Sequence, residues 1–254
     1  MDSHKIQTMR KAGIILSEVL ETVMGAIEPG ITELELDELA ERLILEKGGE
    51  PGFKKVPGYN HTICISTNDV VVHGIPSSRM LKIGDVVGVD CGVFLDGYHT
   101  DMAETKRIAG PNHVFDEVDK FLSVGKEALF QAISKAKAGN HVGQLSVEMQ
   151  RVEKAGYAVV RSLVGHGVGK ELHEEPEIPG YLAGSIEKTP ILKNGQTIAV
   201  EIIYNMGKKD VVYDGTDDWT IVTNDGSISG LFERTVIVTE DGPEFITKLT
   251  TDGV

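Results

Sequence analysis

The sequence has few cysteines, few cations and no long apolar run, and each shortage excludes a class of protein. Cys64 and Cys91 lie far apart without metal-ligand spacing, so we predict neither a disulfide framework nor a cysteine-based zinc site. The 39 acidic residues outnumber the 25 Lys and Arg, which gives a net charge of -14 and excludes a broad phosphate-binding surface for nucleic acid. No apolar run is long enough for a signal peptide or a membrane span. We therefore expect a cytoplasmic protein with no processed segment and no membrane or nucleic-acid partner.

The order of the predicted elements indicates a single domain over residues 1–254. Apolar spacing predicts helices over about 6–27, 32–47, 115–137 and 145–155, and Thr32 with Glu35 forms a capping-box pattern. Strand-like runs rich in β-branched residues follow each pair of helices. No Ser- or Pro-rich linker separates the two series, which favours one compact unit over two hinged domains.

The two series also resemble each other in sequence. "LKIGDVVGVD" at 81–90 matches "LKNGQTIAVE" at 192–201, so Asp90 and Glu201 are counterparts at the ends of two apolar strands. This internal repeat predicts halves of about 1–110 and 111–254. A pseudo-twofold arrangement that brings the equivalent strands together would also bring these two carboxylates together.

Charged or imidazole side chains recur beside apolar strands. They are His73 in "VVHGIP", Asp90 and Asp101 in "VVGVDCGVFLDGYHTD", His166 and His173 in "GHGVGKELHEEP", Glu201 in "AVEII" and Glu233 in "LFERTVIVT". A buried carboxylate needs a cation or a proton, and Lys and Arg are scarce in these stretches. Taken singly, an Asp after a strand is more often a turn residue, and a lone His is more often structural. Taken together, the set indicates a metal site.

The ligand types narrow the choice of metal. Four carboxylates and one imidazole form an oxygen-rich site that suits Mn, Fe(II), Co or Zn. Four acidic groups carry too much charge for one divalent ion, whereas two ions bridged by carboxylates would balance it and activate a water for attack on a carbonyl. Such a site explains the turn between Asp90 and Asp101. The turn places Asp101 on the adjacent antiparallel strand, near Asp90.

Over nearly the whole chain these motifs, together with "DDWTIVTNDGSISGLFERTVIVT", resemble the type I methionine aminopeptidases in order and spacing. The resemblance implies an α+β pita-bread fold, in which a pseudo-twofold antiparallel sheet is flanked by helices. It also implies the removal of N-terminal methionine from peptides and nascent chains when the second residue is small. We expect a monomer that makes at most transient contact with ribosomes.

The resemblance further implies roles for individual residues. Asp90 would chelate one metal, Asp101 and Glu233 would bridge both, and His166 and Glu201 would complete the second. His173 would bind the substrate carbonyl, His73 would contact the scissile amide nitrogen, and Glu201 would act as general base. By position, the methionine pocket would be lined by Tyr59, Cys64, Leu172 and Trp219.

The chain departs from the family pattern near these positions. Leu231 replaces a frequent Gln, Arg234 a common His and Ile202 a common Pro, while Leu172 stands where Phe is frequent and Pro57 falls near a substrate-side His. None of these positions is a predicted metal ligand, so we expect changes in rate, metal preference or second-residue preference. Two alternatives remain open: an X-Pro peptidase of the same fold, and a catalytically weakened binding homologue.

Overall fold

The computed structural model describes residues 3–253. It contains four α-helices and thirteen strands within that range. The helices are α1 Ser3–Ala26, α2 Glu33–Glu46, α3 Glu117–Ile133 and α4 Val142–Met149. The strands are β1 Glu50–Pro51, β2 Ile63–Thr67, β3 Val70–Val72, β4 Val86–Leu95, β5 Tyr98–Arg107, β6 Ala158–Val159, β7 Val164–Gly167, β8 Glu174–Pro179, β9 Thr197–Asn205, β10 Val211–Tyr213, β11 Ile221–Thr223, β12 Ser229–Val238 and β13 Pro243–Phe245.

The predicted helices all form, with shifted ends. The capping box of α2 is present, because Thr32 Oγ1 accepts from the Glu35 amide and Glu35 accepts from the Thr32 amide. Helix α3 begins after its N-cap Asp116 and ends at Ile133, earlier than predicted. Helix α4 begins at Val142, and the segment after Met149 continues as a 3₁₀-helix, Gln150–Ala155. Within residues 3–253, no helix combines the length and the apolarity that crossing a bilayer requires.

The strands form one ten-stranded antiparallel sheet and a second sheet of three strands. The main order is β1-β4-β5-β12-β9-β7-β8, with β2 paired to β4, β6 to β9 and β13 to β12, while the smaller order is β10-β11-β3. Each half of the chain contributes one long antiparallel pair, β4 with β5 and β9 with β12. The combination of helices with an antiparallel sheet confirms the α+β prediction. That this is a single domain with halves near 1–110 and 111–254 stays a prediction.

The two strands that carry the repeat, β4 and β9, are not adjacent in the sheet. Strands β5 and β12 lie between β4 and β9, because each long pair places its second strand at the centre of the sheet. The repeat therefore relates β4 to β9, which occupy equivalent positions on either side of the central strands β5 and β12. Asp90 and Glu201 nevertheless interact, since the Asp90 charge contributes to the raised pKa of Glu201.

The helices cover only one face of the sheet. Helices α1 and α2 pack on β2, β4 and β5 in one apolar cluster, and α3 and α4 pack on β9 and β12 in another. Gly125 allows the close approach of α3, because a Cβ there would lie 2.1 Å from the Tyr204 hydroxyl oxygen. The helices thus support the central strands from behind and leave the opposite face for polar side chains.

Candidate active site

Strand register places the five predicted metal ligands on the face of the sheet away from the helices. Asp101 is registered opposite Gly92, two residues after Asp90, so the two carboxylates share a face. Glu233 lies directly opposite Glu201 on β9. His166 is registered opposite Ala199, two residues before Glu201, and joins them on that face. Period-two geometry therefore collects four carboxylates and one imidazole from five strands.

The centre of this set is compact and buried. Ligand atoms of Asp101, His166 and Glu233 all lie within 4.8 Å of one another. His166 Nε2 is 4.0 Å from Asp101 Oδ2 and 3.9 Å from Glu233 Oε1. These separations are too long for hydrogen bonds and leave space for a cation between the ligand atoms.

The orientation of His166 is fixed by a backbone contact. Its Nδ1 lies 2.9 Å from the Gly167 carbonyl oxygen, and only a protonated Nδ1 can donate there. The Nε2 lone pair then points toward the carboxylates, as a metal-binding imidazole requires. Burial and the neighbouring His173 lower the pKa of His166 to about 4, which keeps the ring neutral.

The carboxylates resist ionisation because they are buried together. Burial raises the pKa of Asp90 to about 7 and, with the Asp90 charge, that of Glu201 to about 8. Burial and neighbouring carboxylates raise the pKa of Asp101 and of Glu233 well above the usual range. Asp90 Oδ1 and Glu233 Oε1 are buried without a hydrogen-bond partner among the described residues. Unpartnered carboxyl oxygens beside a neutral imidazole fit a divalent cation, whose charge would favour release of the carboxyl protons.

A cavity of about 290 Å³ opens beside these ligands. All eleven predicted site residues line it: the five ligands with His73, His173, Tyr59, Cys64, Leu172 and Trp219. Tyr59 packs edge-on against Trp219 with ring centroids 5.2 Å apart, and its hydroxyl donates to the Ile63 carbonyl. One end of the cavity is therefore lined by packed apolar side chains, and the other end carries the acidic cluster.

Two histidines flank the acidic end from different elements. His173 is exposed toward the cavity and packs edge-on against His166, with ring centroids 4.4 Å apart. His73 follows β3 in a left-handed conformation with φ 56°, which non-glycine residues rarely adopt. The next residue, Gly74, packs directly against the backbone of Ile65. A Cβ at position 74 would lie 1.9 Å from the Ile65 carbonyl oxygen, so only glycine fits there. Such strain is common where a side chain is aimed at a site.

Sequence reasoning missed seven residues of the cavity wall. They are Phe53, Val56, Val72, Ser162, Leu163, Val164 and Ile203. Strand alternation from Glu201 could have identified Ile203, which lies two residues further along β9. The others come from a short 3₁₀-helix, loops and strand ends, which are too short or irregular to give a periodic signal.

The residues that depart from the family pattern have distinct surroundings. Ile202 and Arg234 lie on the helix-covered face, and Pro57 is exposed in a loop. Leu231 is buried in an apolar cluster with Val71 and Ile203. A polar group at position 231 would therefore meet apolar neighbours in this chain.

Comparison with known proteins gives consistent matches along the chain. A model of metallopeptidase family M24 matches residues 7–240. A methionine aminopeptidase of Clostridium perfringens is 42% identical over 250 residues, which are 98% of each chain. The crystal structure of a methionine aminopeptidase from Thermotoga maritima superimposes with a TM-score of 0.92 at 37% identity, over 98% of each chain. A prolidase from Pyrococcus furiosus gives 0.77 at 25% identity, over 97% of this chain and 64% of its own. The pita-bread fold is thereby confirmed.

Proposed function

Since this chain belongs to metallopeptidase family M24, we propose that it is a metal-dependent aminopeptidase that removes N-terminal methionine when the second residue is small. The observation that carries the proposal is the joining of a buried Asp-Asp-His-Glu-Glu cluster to a small apolar cavity. The similarity to methionine aminopeptidases over 98% of the chain supports the same substrate. The substrates are then peptides and nascent chains that begin with methionine.

The acidic cluster would hold two divalent cations, drawn from Mn, Fe(II), Co and Zn. We assign Asp90 to one cation, Asp101 and Glu233 to both, and His166 and Glu201 to the second. Such cations polarise a carbonyl group and make water a nucleophile near neutral pH. The two unpartnered oxygens, Asp90 Oδ1 and Glu233 Oε1, support this assignment.

The methionine side chain would occupy the apolar end of the cavity. Tyr59, Cys64, Leu172 and Trp219 offer aromatic, sulfur and aliphatic surfaces, which suit a flexible and polarizable thioether. The cavity is small for a ligand site, since such sites span about 300–1,000 Å³. A single side chain fits this size, and the scissile bond would then lie at the acidic end.

The remaining polar residues would act on the peptide bond. His173 would donate a hydrogen bond to the substrate carbonyl oxygen and stabilise its developing negative charge. His73 would contact the scissile amide nitrogen and help deliver a proton to the leaving amine. Glu201 would accept the proton released by the attacking water. The position of all three side chains around one cavity supports these roles.

A peptide panel tests the proposal. Met-Gly-X-X and Met-Pro-X-X peptides, with Leu-, Ala- and X-Pro-led controls, are incubated with manganese- or cobalt-loaded protein and analysed by mass spectrometry. We expect loss of the N-terminal Met only, abolished by a chelator and by Asp101→Asn. Cleavage of X-Pro peptides instead would establish the alternative peptidase. Bound metal without any cleavage would indicate a binding homologue.

Activity on nascent chains also indicates where the protein acts in the cell. A monomer in the cytoplasm with at most transient ribosome contact fits an enzyme that acts on nascent chains. Stable, salt-resistant co-sedimentation with ribosomes would contradict the transient contact. Size-exclusion chromatography with light scattering tests the monomer.

A further inference from the structure

The central junction of the main sheet has an unusually short ladder. Strands β5 and β12 are registered only at Ala103 with Glu233 and at Met102 with Arg234. By contrast, β4 and β5 share ten registered pairs, and β9 and β12 share nine. This junction joins the strand that carries Asp101 to the strand that carries Glu233. The two proposed bridging carboxylates therefore depend on the least regular pairing among the four central strands.

Threonine hydroxyls replace ladder hydrogen bonds on both sides of the short ladder. Thr235 Oγ1 accepts from the Asp101 amide at 3.0 Å and donates to the Asp101 carbonyl at 2.7 Å. Thr105 Oγ1 accepts from the Leu231 amide at 3.1 Å and donates to the Leu231 carbonyl at 2.6 Å. A hydroxyl can make both contacts because it is donor and acceptor at once. The side chains thus act as spacers between the two strands.

Arg234 provides a third connection at the level of the ligands. Its side chain is fully buried, and Nη1 donates to the Ala103 carbonyl at 2.8 Å and the Glu233 carbonyl at 2.7 Å. Ala103 is registered opposite Asp90 on one side and Glu233 on the other. The guanidinium therefore holds the backbone of Glu233 and of Ala103, the residue opposite Asp90. It does so from the face of the sheet opposite the Asp90 and Glu233 carboxylates.

The C-terminal turn holds the guanidinium in place. Arg234 Nε and Nη2 donate to the two Asp252 oxygens at 2.7 and 2.8 Å, and Nη2 also donates to Glu104. Lys126 Nζ lies 2.9 Å from Glu104 and 3.2 Å from Asp252. A buried guanidinium needs such partners, because an unpaired buried charge is strongly destabilising. Asp252 also accepts from the Leu249 amide, which ties the pair to the 3₁₀ turn Thr250–Asp252.

We propose that Arg234, held by Asp252, is a positioning residue that sets the gap between β5 and β12 together with the Thr235 hydroxyl, and so sets the separation of Asp101 and Glu233. The C-terminal turn is then a working part of the metal centre, although it contributes no ligand. This inference rests on the proposed function, since it assumes that these carboxylates bind metal. A bidentate Arg–carboxylate pair suits the task because its planar geometry fixes orientation as well as distance.

Calorimetric titration of the metal-stripped protein, residues 1–254, with Mn²⁺ tests the inference without any turnover assay. We expect Asp252→Asn to weaken metal binding about 10- to 100-fold, the usual effect of losing a group that orients a ligand. The matched control is Glu244→Gln, which breaks the exposed Arg10–Glu244 pair in the same C-terminal region and should leave affinity unchanged. Circular dichroism confirms that each variant is folded at the titration temperature.

A second pair of variants keeps the test decisive if Asp252→Asn does not fold. Thr235→Val removes the spacer hydroxyl at nearly constant shape and should weaken Mn²⁺ binding, whereas Thr235→Ser keeps the hydroxyl and should bind like the parent. Unchanged affinity in folded Asp252→Asn, or in Thr235→Val when the former is unfolded, would overturn the inference alone. A parent protein that binds no metal would overturn the proposed metal centre together with it.

Discussion

Replacing Asp90 by Asn should have opposite effects on the metal-free and the metal-loaded protein. Burial raises the pKa of the Asp90 carboxyl to about 7, from an ordinary 3.8. Above about pH 4 the unfolded chain releases this proton while the folded chain retains it, so this group's contribution to stability is lost as pH rises toward 7. The raised pKa of Asp90 therefore lowers the free energy of unfolding by about 2 kcal/mol at pH 5 and by at most about 4 kcal/mol above pH 7, at 1.36 kcal/mol for each pKa unit.

Asparagine has nearly the same shape and no charge to bury. In the presence of a chelator near pH 8, we therefore expect Asp90→Asn to unfold at a melting temperature higher by up to about 8–16 °C, at 2–4 °C per kcal/mol. The gain should shrink near pH 5. With saturating Mn²⁺ the order should reverse, because the parent keeps a ligand that the variant lacks.

Thermal unfolding followed by circular dichroism at both pH values, with and without metal, measures these effects. Asp241→Asn, at an exposed position, is the matched control and should change neither melting temperature. Our reasoning would be refuted if metal-free Asp90→Asn were less stable than the parent near pH 8. Stabilisation of equal size with bound Mn²⁺ would show that Asp90 is not a ligand.

Three further changes test the site and its support. His173→Ala should lower kcat about 10²–10³-fold in steady-state assays while calorimetry shows unchanged metal stoichiometry, because the lost group acts on the transition state. Trp219→Ala should raise KM for Met-led peptides more than it lowers kcat, since Trp219 forms a wall of the apolar end. Gly125→Ala should destabilise the fold by about 1–3 kcal/mol in urea titrations, because its Cβ would overlap Tyr204 and outweigh the better helix propensity.

Each of these three expectations has a result that contradicts it. Loss of bound metal in His173→Ala would make this histidine a ligand. Unchanged KM in Trp219→Ala would place the methionine side chain elsewhere. A Gly125→Ala variant as stable as the parent would show that α3 can shift away from Tyr204 without cost.

The parts of the site that arise from local sequence could be predicted. The pairing of Asp90 with Asp101 follows from one hairpin, and the Thr32 capping box follows from four consecutive residues. The repeat correctly related Asp90 to Glu201 in position along their strands. It could not show which strands are neighbours, because equivalence between two halves does not specify the contacts between them.

The support of the site could not be predicted for a related reason. Arg234 is conspicuous in the sequence only as a departure from a family pattern. Its carboxylate partners Glu104 and Asp252 come from a strand and the C-terminal turn. Lys126, which pairs with both carboxylates, comes from a helix, and no periodicity connects these residues. Long-range pairing of buried charges becomes visible only when the strands have been placed.

The short ladder between β5 and β12 also bears on the order of folding. Strand β5 ends at Arg107 and β12 begins at Ser229, so closing this junction requires a far longer loop than closing either hairpin-like pair. We expect the two long pairs to form first and the junction last. Asp90 and Asp101 are synthesised well before Glu233, so a growing chain carries only a fraction of the ligands. On this order of folding the five ligands come together only near the end, and we expect partly folded chains to be inactive.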